Sequence, residues 1–113
     1  MAWLLRNGEV LASADVAATS SERRRGLLGR DGIDGALVLQ PCRQVHTLGM
    51  RFPIDVIWCA EDGRVLRVTT MVPWRVSPFV WRARFVIEAA EGAASRWALK
   101  IGDAVEVRPG SGG

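Results

Sequence analysis

A thiol, an imidazole, a carboxylate and a second thiol occur close together in the middle of the chain, as Cys42, His46, Asp55 and Cys59. His46 is the only histidine. These side-chain types suit a nucleophile, its base and the group that orients the base, in the order Cys42, His46 and Asp55. The surrounding segment lacks the strand–elbow–helix pattern that exposes many hydrolase nucleophiles. A small hydrolase-like enzyme, with or without metal assistance, is therefore the alternative hypothesis for function.

The same residues include three that can bind a metal ion, Cys42, His46 and Cys59. Structural zinc normally takes four ligands, often in paired Cys-x-x-Cys spacing, and the sequence has no second pair. We therefore expect no metal and no cofactor. Both cysteines are predicted to be free thiols, with Cys59 on a buried strand and Cys42 in the loop after Pro41.

Two carboxylates fall in apolar segments. Asp55 lies at the start of one, and a buried charge needs a partner, for which Arg51, Arg30 or a loop amide is a candidate. A structural role is expected for Asp55, and simple solvent exposure for Glu88. The functional alternative has Asp55 and Glu88 converging on one cleft, where paired carboxylates bind a cation or do acid–base work.

Residues 73–82 form an irregular segment rich in aromatic and basic side chains, including Trp74, Arg75, Phe79 and Trp81. We expect the aromatic rings to fold over the open end of a barrel and complete the core of this small domain. If they are exposed instead, they would anchor a partner.

The leading function hypothesis is a non-catalytic binding or accessory domain. It would hold a small ligand or a protein partner in a groove between the 73–82 loop and the Asp55 strand, with Glu88 and Arg30 among the contacts.

The local patterns predict mostly strands. Asn7-Gly8 between two apolar runs predicts a hairpin. Thr19-Ser-Ser-Glu22 has the spacing of a capping box and predicts a helix over residues 20–28, with Leu27 and Leu28 facing the core. Apolar or alternating runs predict strands over 36–40, 45–48, 54–60, 65–72, 84–90 and 104–108, with one or two helical turns over 93–99.

Closely spaced short strands favour a mainly β fold, a compact β-sandwich or barrel with one short N-terminal helix. The 113 residues are enough for one domain, predicted over 1–108, with a flexible tail over 109–113. Alternation along 65–72 places Leu66 and Val68 on one face.

The amino-acid composition limits the classes of partner that we expect for this protein. The net charge is only +3, and the basic residues are almost all arginine, which fits a coding bias better than nucleic-acid binding. No apolar run is long enough to cross a bilayer, and the N-terminus is a poor secretory signal. We expect a cytoplasmic protein that binds neither nucleic acid nor membrane.

Four segments, in order, resemble the domain of unknown function 192 family of small bacterial and archaeal proteins. Glu22–Arg30 resembles its opening helix motif, and Gly49–Trp58, with Pro53-Ile-Asp55 at its centre, resembles its Pro-Leu-Asp segment. Phe85–Gly92 and Ile101–Asp103 resemble its later strand and closing turn. The resemblance implies a compact, mainly β fold with one short helix and no established reaction. Many members carry a Lys and an Asn before Pro-Leu-Asp, and this chain lacks both, so no role of theirs carries over.

Overall fold

The computed structural model describes residues 1–110. The elements, in chain order, are β1 (Ala2–Arg6), β2 (Glu9–Ala17), α1 (Ser20–Arg25), β3 (Ala36–Leu39), β4 (Ile54–Cys59), β5 (Val65–Met71), β6 (Phe85–Ala90), α2 (Ala93–Arg96) and β7 (Glu106–Pro109). The predicted mainly β class is confirmed. Within the described residues, no helix is long and apolar enough to span a membrane.

The strands form a single seven-stranded sheet in the order β5-β4-β6-β3-β2-β1-β7. Neighbours are antiparallel except β2 and β3, which run parallel and are joined through α1. The predicted β1–β2 hairpin is present, and its turn holds Asn7 and Gly8 at φ of 52° and 79°. Both positions need the left-handed conformation that Asn and Gly tolerate best.

The sheet carries a hydrophobic cluster on each face. On the first face, Ile57 and Ile87 pack with α2 and with Leu99. On the second face, Val56 and Val86 pack with Leu27 from the segment after α1 and with residues of the connecting loops. All six residues of β4 are buried, as the nearly continuous apolar run predicted for a strand covered on both sides.

The chain before β7 approaches the start of β5, at the opposite edge of the sheet. Arg64 and Ala104 form an isolated bridge, and the Val65 N–H donates to the Asp103 carbonyl at 2.8 Å. The sheet therefore curls toward a barrel without closing, since β5 and β7 themselves do not pair.

The C-terminal end of the described chain belongs to the sheet. Pro109 pairs with Ala2, and the Gly110 N–H donates to the Met1 carbonyl. The remainder of the predicted tail, residues 111–113, lies outside the described residues.

Helix α1 is shorter than predicted. Its capping box is present, with Thr19 Oγ1 accepting from the Glu22 N–H, but the helix ends at Arg25. Gly26, at φ of 45°, turns the chain out of the helix. As a result Leu27 is buried, whereas Leu28, expected in the core, is 37% exposed.

A β-bulge overturns the predicted faces of β5. Trp58 pairs with Arg67 and Cys59 pairs with Val65, so Leu66 is an extra residue in the ladder. An extra residue shifts the alternation by one. Leu66 therefore packs against the second-face cluster and Val68 against the first-face cluster.

The aromatic side chains of the 73–82 loop do not complete the core, contrary to expectation. Trp74, Phe79 and Trp81 are 65%, 52% and 78% exposed. The smaller Ala83 and Val80 of this region pack against the second-face cluster instead. The predicted strand over 45–48 is reduced to a single bridge between His46 and Val76.

Candidate functional site

The second face of the sheet opens into a pocket of about 490 Å³, here called the α1 pocket. One wall is Arg23–Leu28, the end of α1 and the residues after it, and another is the segment Pro41–His46. The remaining lining residues are Leu39, Met50, Phe79 and Glu88.

Local hydrogen bonds hold α1 in place beside this pocket. The Arg23 guanidinium donates to the carbonyls of Ala18 and Gln40, which tie the helix to the ends of β2 and β3. Arg24 and Arg25 are exposed and make no ion pair within residues 1–110. Their charges are available at the mouth of the α1 pocket.

Glu88 is the carboxyl group of this pocket. It is only 3% exposed, because β6 is a central strand and Glu88 lies between Val56 and Leu37 of its neighbours. Burial raises its pKa to about 7. No group within residues 1–110 donates a hydrogen bond to the Glu88 carboxyl, and the carboxyl oxygens open onto the pocket. The expected solvent exposure of Glu88 is wrong, because the residues around α1 cover this part of the sheet.

Cys42 also lines the α1 pocket and is half-buried. Its Sγ donates to the Gln44 carbonyl at 3.3 Å, and burial raises the pKa of the thiol. A nucleophilic cysteine needs the opposite shift, toward the thiolate. The other thiol, Cys59, is buried in the first-face cluster, where burial raises its pKa to about 12.

His46 lies at the mouth of the same pocket and is exposed. Its Nδ1 accepts a hydrogen bond from the Leu48 N–H at 3.1 Å. In the neutral imidazole the proton is then on Nε2, which leaves no free nitrogen to accept the thiol proton.

Asp55 lies on the opposite face of the sheet. Its carboxylate accepts from Thr70 Oγ1 at 2.8 Å, from the Gly92 N–H at 3.1 Å and from the Ala94 N–H at 3.0 Å. Asp55 thus fixes the first turn of α2 against β4 and β5. Loop amides were among the expected partners, whereas Arg51 pairs with Asp31 instead.

The structure therefore brings together only part of the predicted site. Cys42, His46 and Glu88 share the α1 pocket, and the sheet separates them from Asp55. Asp55 cannot orient His46 in this arrangement. Asp55 and Glu88 also do not converge on one cleft. Asp55 pairs with Ala89, and Glu88 pairs with Val56, the next residue of β4. Because successive residues of a strand point to opposite faces, the two carboxyl groups lie on opposite sides of the sheet.

The 73–82 loop is anchored by hydrogen bonds to Thr47, which is fully buried. Thr47 Oγ1 donates to the Val72 carbonyl at 2.7 Å and accepts from the Arg75 N–H at 2.9 Å. The Thr47 carbonyl also accepts from the Trp74 N–H. These bonds hold Trp74 at φ of 66°, a conformation that costs a non-glycine residue about 1–2 kcal/mol.

Two further predictions concern Arg30 and metals. Arg30 is exposed and lines a neighbouring depression, which shares Arg25 and Gly26 with the α1 pocket. Arg30 itself is not among the residues that line the α1 pocket, and within residues 1–110 it is not a hydrogen-bond partner of Asp55. Within residues 1–110, no cluster of three His, Cys, Asp or Glu side chains has the arrangement of a metal site.

The role of α1 as a wall of the pocket was not predicted from the sequence. A signal was present, because the capping box predicts a helix that carries the basic run Arg23–Arg25. The tertiary structure decides which part of the sheet this helix covers. The position of α1 beside Glu88 could therefore not be predicted from the sequence.

Curated relatives match about half of the chain. A UPF0127 protein of Pyrococcus horikoshii, PH1112, is 36% identical over 62 residues, which cover 55% of this chain and 54% of that protein. The UPF0127 protein PF1050 of Pyrococcus furiosus is 32% identical over 62 residues, covering 55% and 53%. The matched region thus spans about half the length of these relatives.

Solved structures share the fold. A protein of unknown function from Novosphingobium aromaticivorans superposes with a TM-score of 0.80 at 23% identity, covering 93% of this chain and 82% of that one. A protein from Sinorhizobium meliloti superposes with a TM-score of 0.78 at 19% identity, covering 94% and 91%. At these identities the similarity extends to the fold alone.

The family comparison covers nearly the whole described chain. The sequence model of domain of unknown function 192, described as an uncharacterized ACR, matches residues 2–107. The match includes every strand from β1 to β6 and both helices. The chain belongs to the domain of unknown function 192 family.

Proposed function

We propose that this chain is a small-molecule-binding domain that holds its ligand in the α1 pocket. The observation that carries the proposal is Glu88, a buried carboxyl group that faces the pocket without a hydrogen-bond partner from residues 1–110. Burying a polar group without a partner costs free energy. The oxygens of Glu88 open onto the pocket, so a ligand that donates a hydrogen bond to them offsets the cost of this burial and makes Glu88 a selective contact.

The other walls narrow the ligand class. Leu27, Val45 and Met50 are buried apolar residues of the lining, and Phe79 adds an aromatic ring. Arg24 and Arg25 lie at the mouth and make no ion pair within residues 1–110. The ligand that fits has a hydrogen-bond donor such as an amine or amide at its inner end, an apolar body, and an acidic group at the mouth.

This proposal keeps the binding role expected from the sequence and moves the site. Phe79 of the 73–82 loop lines the α1 pocket, and Glu88 of β6 takes the place that the sequence hypothesis assigned to Asp55. The carboxylate of Asp55 is fully engaged by α2 and Thr70 on the other face.

Catalysis is the second candidate, because Cys42 and His46 line the same pocket as Glu88. The raised pKa of Cys42 and the occupied Nδ1 of His46 both disfavour an activated thiolate. Non-catalytic binding therefore agrees better with the geometry.

The test is a screen of a fragment library by ¹H–¹⁵N correlation spectra, which detects binding even when the natural ligand is unidentified. Shifted amides should cluster at Leu27, Val45 and Met50. Fragments carrying an amine should lose about ten-fold in affinity on Glu88→Gln, an uncharged replacement of similar shape.

Fragments carrying an acid should weaken similarly when Arg24 and Arg25 are both replaced by Ala. Arg30→Ala is the matched control, since it removes an exposed arginine outside the α1 pocket. A cluster of shifted amides elsewhere, or hits indifferent to all these changes, would refute the proposal. Conversion of a fragment into a product by the wild type, and loss of that conversion on His46→Ala, would favour the enzyme instead.

A further inference from the structure

Strand β5 forms one edge of the sheet and is covered at one end only. At that end the Val65 N–H donates to the Asp103 carbonyl, and the Gly102 N–H donates to the Val65 carbonyl, both at 2.8 Å. Beyond it, β5 pairs only with β4 among residues 1–110, and no other backbone group reaches its outer side over residues 67–71. Every second amide and carbonyl of that stretch is therefore open to a partner.

A groove of about 590 Å³ runs along this open edge. Leu66–Thr69 form its floor, and Pro78–Trp81 and Ile101 border it. The rings of Phe79 and Trp81 lie 5.5 Å apart. Trp81 and Ile101 are 78% and 68% exposed, so apolar side chains flank a row of unpaired backbone groups.

We propose that the open edge of β5 is a docking site for an extended, acidic segment of a partner protein, which adds to the sheet as a further strand. Only a polypeptide offers main-chain donors and acceptors at the repeat of a strand, so the row of backbone groups selects a peptide over a lipid or a nucleic acid. Trp81 and Ile101 would contact its alternate side chains.

The charge of the edge specifies an acidic segment. Arg67 is exposed at the centre of β5, and its guanidinium makes no ion pair within residues 1–110. It lies 6.0 Å from the ring of Trp58, and its Nε donates to Thr69 Oγ1. An opposite charge facing it on an added strand is stabilising, and a like charge is destabilising.

The same charge argues against a second copy of β5 as the occupant. The strand Val65–Met71 contains no acidic residue, so self-pairing would place two copies of Arg67 in one interface with no acidic residue of either strand to compensate them. The other edge of the sheet is a poorer template. In β7, Arg108 is already paired with Glu106 at 2.9 Å, and Pro109 has no N–H to donate.

The test begins with a library of displayed random dodecapeptides panned against the full chain. Enriched sequences should alternate β-branched residues with Asp or Glu. A synthetic peptide of the enriched sequence should protect the amides of residues 67–71 from hydrogen exchange. Its affinity should fall at least about ten-fold on Arg67→Glu. Arg30→Glu makes the same change in net charge at an exposed arginine outside the groove and should have little effect.

N-methylation of the peptide gives a second, independent readout. An added strand uses every second amide, so methyl groups in one alternating phase should abolish binding and those in the other phase should be tolerated. No enrichment, equal tolerance of both phases, or no response to Arg67→Glu would overturn the proposal. A concentration-dependent dimer with amides 67–71 protected would identify a second copy as the occupant and would also overturn it. None of these results depends on the α1 pocket.

Discussion

Glu88 and Asp55 are buried to the same extent, each 3% exposed, yet they have opposite roles. Asp55 accepts three hydrogen bonds, which offset the cost of burying its charge. Glu88 has no such partner among residues 1–110, and burial raises its pKa to about 7. The first is a structural carboxylate, and the second is the group that we propose a ligand contacts.

The burial of Glu88 predicts that stability decreases as the pH rises. In the unfolded chain this carboxyl ionises near 4.5, whereas in the folded protein it keeps its proton up to about 7. Between these values the folded state binds more protons, so the free energy of unfolding falls with rising pH, by on the order of 3 kcal/mol over the whole interval.

Urea unfolding at several pH values across this interval measures the effect. Glu88→Gln cannot ionise, so this variant should lose less stability than the wild type as the pH rises. Equal losses in the two proteins would show that Glu88 ionises normally in the folded state.

At the scale of elements, helix α1 and the 73–82 loop carry exposed arginine and aromatic side chains, and each is anchored by a few polar contacts. Arg23 ties α1 to β2 and β3, and Thr47 ties the 73–82 loop to residues 45–47. Such anchors hold Trp74 in a strained, exposed conformation that apolar packing would not select.

Thr47→Val should loosen the 73–82 loop without changing the volume of the side chain. The Val72 carbonyl and the Arg75 N–H lose their shared partner, Oγ1, and the free energy of unfolding should fall by about 2 kcal/mol. Hydrogen exchange at residues 74–77 should become faster. Thr69→Val is the control, since its hydroxyl makes only a 3.3 Å contact with Arg67. Unchanged exchange at the loop would show that Thr47 is not its anchor.

At the scale of the whole molecule, the segment Gly102–Val105 joins the two edges of the sheet at one end. Gly63 allows this approach, because a Cβ at that position would lie 1.9 Å from the Val105 carbonyl oxygen. The Val105 N–H donates to the Gly63 carbonyl at 2.9 Å, and this hydrogen bond joins the two segments. The sheet therefore curls, while the rest of the β5 edge stays open.

Gly63→Ala should destabilise the protein more than Gly102→Ala, by at least about 2 kcal/mol. Both glycines have positive φ, at 89° and 95°, so the backbone strain of the substitution is similar. Only Gly63 faces a close backbone, whereas nothing lies within 4 Å of a Cβ at Gly102. Thermal or urea unfolding of the two variants measures the difference. Equal destabilisation would mean that the approach of Val105 does not constrain the sheet.

The sequence by itself determined the features that depend on neighbours along the chain. Asn7-Gly8 specified the first hairpin, Thr19 and Glu22 specified the start of α1, and the apolar run of β4 specified a buried central strand. Each depends on local dihedral preference or on the period of apolar residues, and both are readable within one segment.

Only the tertiary structure decided which chemical groups meet. A one-residue bulge at Leu66 placed Leu66 and Val68 on opposite faces of the sheet. The register between β4 and β6 placed Asp55 and Glu88 on opposite faces as well. The burial of Glu88 depends on α1 and on residues after it, which are far from β6 along the chain. Register and the packing of distant segments leave no local pattern, because they arise from pairing between strands that are far apart in sequence.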